Sequence, residues 1–169
     1  MAQGRSRLYR VAFSWCHDAG LADDLVQEAL IKGLKSIHQL KDAAVLDAWL
    51  FSILNNCWRD HFRRQHPHAD IEEIMELPTN DPNPEETHAE SQLVGRVRRA
   101  VAALPMGQRQ VITLVDLAQM AYSETAEALG IPVGTVMSRL SRARQSLREL
   151  LHEAPVPLRV LTPKTRSGQ

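Results

Sequence analysis

The run Tyr122-Ser-Glu-Thr-Ala-Glu-Ala-Leu-Gly-Ile-Pro-Val-Gly-Thr-Val-Met-Ser-Arg-Leu-Ser-Arg-Ala-Arg-Gln145 carries capping, turn and seam signals in one continuous stretch. Ser123 can cap a short helix whose Ala126 and Leu129 point inward, Gly130 can take the left-handed conformation that ends it, and Pro132 can open the next helix. In that second helix Val136, Leu140, Ala143 and Leu147 recur at helical spacing and define a buried face. At about 100° per residue, Ser138 and Gln145 lie opposite this face, with Gly134, Ser141 and Arg142 beside them and Thr135 and Met137 flanking. From Val133 to Arg148 there are four Arg and no acid. Helix, tight turn and cationic helix with small polar groups near its N-terminus fit a recognition helix in the major groove. A merely solvated basic helix would share the charge but not the turn chemistry or the seam.

Working outward, periodicity runs from Gln92 to Leu104, stops at Pro105 and returns from about Gln108 to Ala118. Nearer the N-terminus, Val26, Leu30, Gly33 and Ile37 form another helical seam, for which Asp23 or Asp24 is a suitable N-cap. Asp24, Gln27, Glu28, Ile31 and Lys35 occupy the opposite face, either as a docking surface or as an ordinary solvated face. A further helix is expected from Leu46 to Arg64 with Leu46, Leu50, Ile53 and Cys57 buried. Its second stripe holds Ser52, Asn56, Arg59 and Arg63, next to Arg64 and interleaved with Trp49, Phe51, Trp58 and Phe62. Cations for phosphates and flat rings for unstacked bases make a single-stranded nucleic-acid surface; the same rings are also ordinary core material.

The chain has 169 residues, 44% hydrophobic, 24% charged and only 5% aromatic, a length that fits one domain or two small ones and a composition that disfavours an all-β barrel. A formal net charge of zero argues, taken whole, against a nucleic-acid binder. The total is an average: Met1 to His68 carries +2, Ala69 to Ser91 carries −8 with no Lys or Arg, and Gln92 to Gln169 carries +6. Pro78, Pro82 and Pro84 interrupt the acidic block, which has too little apolar surface to order itself. The expected organisation is therefore all-α: a helical domain over 1–66, a flexible acidic linker over 67–91, a second helical domain over 92–152 and a disordered tail over 153–169. Two cysteines, no signal segment and no apolar run of about 20 residues point to a cytoplasmic protein without membrane insertion. Cys16, Cys57 and His61, with His17, His66 and His68 nearby, would have to converge to hold a metal; with no CxxC pair, no cofactor is expected.

Three runs in order, Ala22-Asp-Asp-Leu-Val-Gln-Glu-Ala-Leu30, Asp47-Ala-Trp-Leu-Phe-Ser-Ile-Leu-Asn-Asn56, and Ala103-Leu-Pro-Met-Gly-Gln-Arg-Gln-Val111 closing in Gly134-Thr-Val-Met-Ser-Arg-Leu-Ser-Arg-Ala-Arg144, resemble bacterial extracytoplasmic-function (ECF) sigma factors over about Leu8 to Leu151. The resemblance implies a non-enzymatic subunit of RNA polymerase, with regions 2 and 4 as the two helical domains. It implies that Asp24, Gln27 and Glu28 meet the β′ clamp helices, that the β flap is a second polymerase contact, and that an anti-sigma factor restrains the protein. Ser52, Asn56, Arg59 and Arg63, with the loop from Ser36 to Asp42, would engage the minus-ten element of promoter DNA. Thr135, Ser138, Ser141 and Arg142 would read the minus-thirty-five element, with Arg139 and Arg144 supporting or touching the backbone. The acidic linker would thread near the active-site cleft, and can screen the basic modules when polymerase is absent. Only Met1 to Arg7 precede the matching region, so a short first helix is expected. A stand-alone helix-turn-helix regulator with a sensing or dimerising N-terminal bundle is the rival reading; a small metal-dependent enzyme is a third.

Overall fold

Local capping decides where the helices begin. In the computed structural model, which describes residues 2–77 and 92–152, Asp18 has extended backbone and its carboxylate accepts the Leu21 N–H at 2.9 Å. The helix that follows, α2 (Ala19–Ser36), therefore starts ahead of Asp23 and Asp24, which lie inside it and not at its cap. It is preceded by α1 (Ala2–Cys16), a full 15 residues and longer than the sequence pattern implied, because Leu8, Val11, Ala12 and Trp15 already form a buried stripe. After two short 3-10 turns come α3 (Leu46–Gln65) and α4 (Ile71–Glu76). The second half comprises α5 (Gln92–Ala102), α6 (Met106–Ile112), a π-helical turn over Thr113–Leu117, α7 (Tyr122–Leu129) and α8 (Val133–His152). All regular structure among the described residues is helical. The residues expected to form the tail, and most of those expected to form the linker, lie outside the described residues.

The deep stripe of α3 is rotated from the expected one. Phe51, Leu54, Asn55, Cys57 and Trp58 are buried, whereas Leu46, Leu50 and Ile53 are only half-buried. The reason is that α3 is covered from several sides, packing against α2, α1 and α7, so one four-three spacing cannot describe its interior. Leu50 and Ile53 serve the α2 side, where Gly33 lets the two helices approach: a Cβ there would stand 3.1 Å from Leu50 Cδ2. Ile37, placed in the α2 seam by spacing, is exposed in the turn beyond that helix.

Both helical units expected from the charge blocks are present, and they also pack on each other through polar groups. Trp15 Nε1–H donates to Thr113 Oγ1 at 2.7 Å, and Gln110 Nε2 donates to Asn55 Oδ1 at 2.9 Å. Arg109 has no exposed surface; its guanidinium donates to the carbonyls of Trp15 at 2.7 Å, Leu104 at 3.2 Å and Ala102. Arg7 reaches across as well, donating to the Ala118 carbonyl at 2.8 Å while pairing with Asp47. Around this joint α1 touches α5 and α6, and α3 touches α7. Replacing Thr113 by Val would orphan the buried Trp15 N–H, at a cost of about 1–3 kcal/mol. Urea unfolding of the full chain should show that loss for Thr113→Val, whereas Thr113→Ser should retain most of the wild-type stability.

Candidate nucleic-acid interface

The sequence that decides the fold builds a helix-turn-helix. Ala121, not Ser123, is the N-cap of α7: the Glu124 carboxylate accepts the Ala121 N–H at 2.9 Å, and the Thr125 hydroxyl donates to the Ala121 carbonyl. A side chain three residues on supplies the reciprocal half of a capping box, so the helix starts without a capping hydroxyl. Gly130 ends α7 at φ +66°, and Ile131 N–H donates back to the Ala126 carbonyl at 3.0 Å, the wide hydrogen bond of a Schellman turn. The Pro132 carbonyl then accepts from Thr135 and Val136, opening α8.

On α8 the seam is as spaced: Val136, Leu140 and Ala143 are buried, and Leu147 is half-buried. Gly134, Met137, Ser138, Ser141, Arg142 and Gln145 are exposed, and Thr135 is half-buried. Arg139 is different. It is only 8% exposed, turns inward above Gly107, and its Nη2 lies 2.9 Å from Glu76 Oε1 in α4. Arg142 is 3.7 Å from the other oxygen of the same carboxylate. Arg144 forms a two-pronged contact with Asp116 at 2.7 and 3.2 Å. Among the sequence-predicted residues of α8, then, Ser138, Ser141 and Arg142 share the outward face, while Arg139 turns inward; carboxylates of neighbouring elements stand against all three arginines, Glu76 against Arg139 and Arg142 and Asp116 against Arg144.

On α3, Asn56 and Arg63 are exposed, and Ser52 is half-buried with its hydroxyl donating to the Trp49 carbonyl at 2.7 Å. Arg59 bonds Glu72 at 3.0 Å, and Arg63 stands 3.6 Å from Asp60. Of the interleaved rings, Phe51 and Trp58 belong to the core and are not available to bases. Phe62 stacks between Trp58 and His66, with ring centroids 5.3 and 4.4 Å away, so this stack leads from the core to an exposed imidazole. Sequence reasoning counted Glu72, Glu76 and Asp116 only as charge; the signal missed was the four-residue repeat pairing Glu72 with Glu76 beside Ile71 and Met75.

On α2, Asp24, Gln27 and Glu28 line one open depression with Ile31, Lys32 and Lys35. Glu28 holds Lys32 at 2.8 Å, and this hydrogen bond pushes the ammonium above its usual pKa. Cys57 is fully buried and Cys16 half-buried; burial pushes both thiols up. Among the described residues, no group of three or more His, Cys, Asp or Glu is assembled as a metal site, so Cys16, Cys57 and His61 do not converge in one. No helix among them is long and apolar enough to cross a membrane.

A helix-turn-helix with a cationic second helix, joined in one chain to a helical bundle with its own polar face, defines a two-module nucleic-acid-facing protein. Residues 1–67 match the family model for sigma-70 region 2, and residues 95–147 that for sigma-70 region 4. The chain is 35% identical over 142 residues to the ECF RNA polymerase sigma factor EcfG of Rhodopseudomonas palustris, covering 83% of this chain and 77% of that one. It is 33% identical over 152 residues to SigE, an ECF RNA polymerase sigma factor of Mycolicibacterium smegmatis, covering 88% of this chain but 59% of the length of that relative. Among solved structures, the sigma factor RpoE in complex with the anti-sigma factor NepR, from Bartonella quintana, is similar with a TM-score of 0.73 and 28% identity, over 91% of this chain and 95% of that one. The chain belongs to the ECF family of sigma-70-type RNA polymerase sigma factors.

The left-handed turn is the most economical test of the helix-turn-helix. Gly130→Ala should cost about 1 kcal/mol through backbone strain alone, since nothing lies within 4 Å of the added Cβ. Gly130→Asn should cost less, which thermal melts of the full chain can resolve.

Proposed function

We propose that this chain is a dissociable specificity subunit that binds core RNA polymerase and directs promoter recognition and transcription initiation, performing no covalent chemistry of its own. The division of labour follows the two modules: residues 1–66 for core binding and the minus-ten element, 92–152 for the minus-thirty-five element, and 67–91 as their connection. Asp24, Gln27 and Glu28 on α2 meet the β′ clamp helices, and region 4 meets the β flap. Asn56 and Arg63, with Ser52 and Arg59 behind them, face the separated strand at the minus-ten element. Thr135, Ser138, Ser141 and Arg142 read the minus-thirty-five duplex, while Arg139 and Arg144 contribute to the backbone once freed from their carboxylates. The work is done in the cytoplasm, and an anti-sigma factor of the kind bound by the Bartonella relative restrains it.

The observation that carries this reading is the presence, in one chain, of a helix-turn-helix with small polar residues and Arg outward and a separate polar face on α2 where Asp24, Gln27 and Glu28 stand beside Lys32 and Lys35. A stand-alone regulator has no use for the second. Unstacking and capturing bases costs a few kcal/mol, which contacts from two linked modules and the polymerase together offset.

Run-off transcription with purified core enzyme and genomic fragments tests the proposal, and a promoter-dependent transcript is expected. Absence of any such transcript would sink the sigma reading. Reversing Asp24 and Glu28 to Lys should abolish co-purification with core enzyme. Arg142→Ala, which removes one contact to DNA worth about 1–3 kcal/mol, should lower promoter-dependent initiation roughly 5- to 150-fold while core binding persists.

A further inference from the structure

The short helix α4 carries acids that reach two other helices, α3 and α8. Its four-residue repeat sorts its side chains into two neighbouring pairs: Ile71 and Met75 are buried, and Glu72 and Glu76 stand one turn apart on an adjoining face. Asp70 caps it by accepting the Glu72 N–H at 2.9 Å, and its apolar side packs on α6. This seating fixes where the two carboxylates go. Glu72 meets Arg59 of α3 at 3.0 Å. Glu76 takes both Nε and Nη2 of Arg139 of α8, at 3.2 and 2.9 Å, and lies 3.7 Å from Arg142. One acidic helix turn thus occupies cations on both α3 and α8, the two helices proposed to face DNA.

We propose that α4 is an intramolecular anionic strap, which ties α3 to α8 and holds carboxylates on the arginines of both DNA-facing surfaces while the chain is free of polymerase. The inference rests on the reading of α3 and α8 as DNA-facing. The groups that compete are chemically alike: a carboxylate and a phosphate oxygen both accept charge-assisted hydrogen bonds from guanidinium. DNA approaching the closed chain must displace Glu76 from Arg142 and Arg139, and Glu72 from Arg59, before those arginines can reach phosphate. Attachment of the two modules at separate places on polymerase would pull the strap off once, leaving both surfaces cationic together. The partner that opens the strap is therefore the polymerase surface, and the ligand it excludes meanwhile is the DNA backbone.

The control for net charge is on the same helix. Glu73 is exposed and makes no ion pair with any described residue, so Glu73→Gln changes the charge by the same amount without touching the strap. Binding of the full-length chain, without polymerase, to a fluorescent 30-base-pair duplex of mixed sequence is measured by anisotropy at several salt concentrations. Glu76→Gln should raise affinity at least fivefold over wild type, Glu72→Gln should act in the same direction, and the double variant should exceed either. Glu73→Gln should stay within twofold. The salt dependence of the double variant should steepen by roughly one unit in log Kobs against log salt for each additional phosphate contacted. Equal effects of Glu73→Gln and Glu76→Gln, or no effect of either strap variant, would overturn the strap. If Glu76→Gln disturbs folding by stranding the buried Arg139, Glu72→Gln decides, because Arg59 keeps access to water. Transcription by wild-type chain with core enzyme, run alongside, separates failure of the strap from failure of the sigma reading.

Discussion

The guanidinium of Arg109 is the fixed point of the molecule. A helix leaves its last carbonyls without partners inside itself, and a buried helix end needs donors from elsewhere. Arg109 supplies them to two helices at once: to Trp15 in the last turn of α1, and to Ala102 and Leu104 where α5 ends. A cation at the negative end of a helix dipole is favourable, and here it serves two such ends from a site with no access to water. Once α1 is pinned by its end, the Trp15 indole is placed against Thr113, and Thr113 accepts its N–H while also bonding the Arg109 carbonyl at 2.9 Å. From Thr113 the chain makes its π turn, in which Ala118 N–H returns to the Thr113 carbonyl at 2.9 Å, and proceeds to the helix-turn-helix. Arg109 thus joins α1 to the chain that leads to α8, alongside Gln110 with Asn55 and Arg7 with the Ala118 carbonyl.

Charge does two different jobs at the surface. Arg144 with Asp116, and Lys32 with Glu28, are pairs of partly exposed side chains whose worth is about 0–1 kcal/mol, so they tune the positions of cations without holding the fold. Arg139 differs because it is nearly buried, and removing its carboxylate would leave a charge with little water to turn to. That difference assigns Glu76 a structural weight that Asp116 lacks.

How much of this was legible in the sequence depends on the kind of residue that carries it. The α8 seam and outward face follow from spacing, because Val136, Leu140 and Ala143 are buried together on one side of the helix while Ser138, Ser141 and Arg142 stay exposed on the other. The α3 interior does not, since Asn55 and Trp58 are buried against different neighbours from Leu50 and Ile53. Helix starts at Asp18 and Ala121 escaped because a nearby acid offers several equivalent capping registers, and tertiary packing selects one. The joint between the halves was invisible because Trp15, Asn55, Arg109, Gln110 and Thr113 form no periodic apolar pattern. Among the candidate site residues, Ser138, Ser141 and Arg142 stand where the wheel puts them; Arg139, one step around it, does not face outward.

Gly107, buried in α6, sets a condition on where the Arg139 side chain can lie. A Cβ there would stand 3.0 Å from Arg139 Cζ and 3.1 Å from its Nη1, so a side chain at this place of α6 would make the inward guanidinium shift by a few tenths of an ångström. The inward placement of Arg139 thus depends in part on a missing methyl group. Filling that place would therefore alter how Arg139 sits against Glu76 while every exposed residue of α8 stayed as it is.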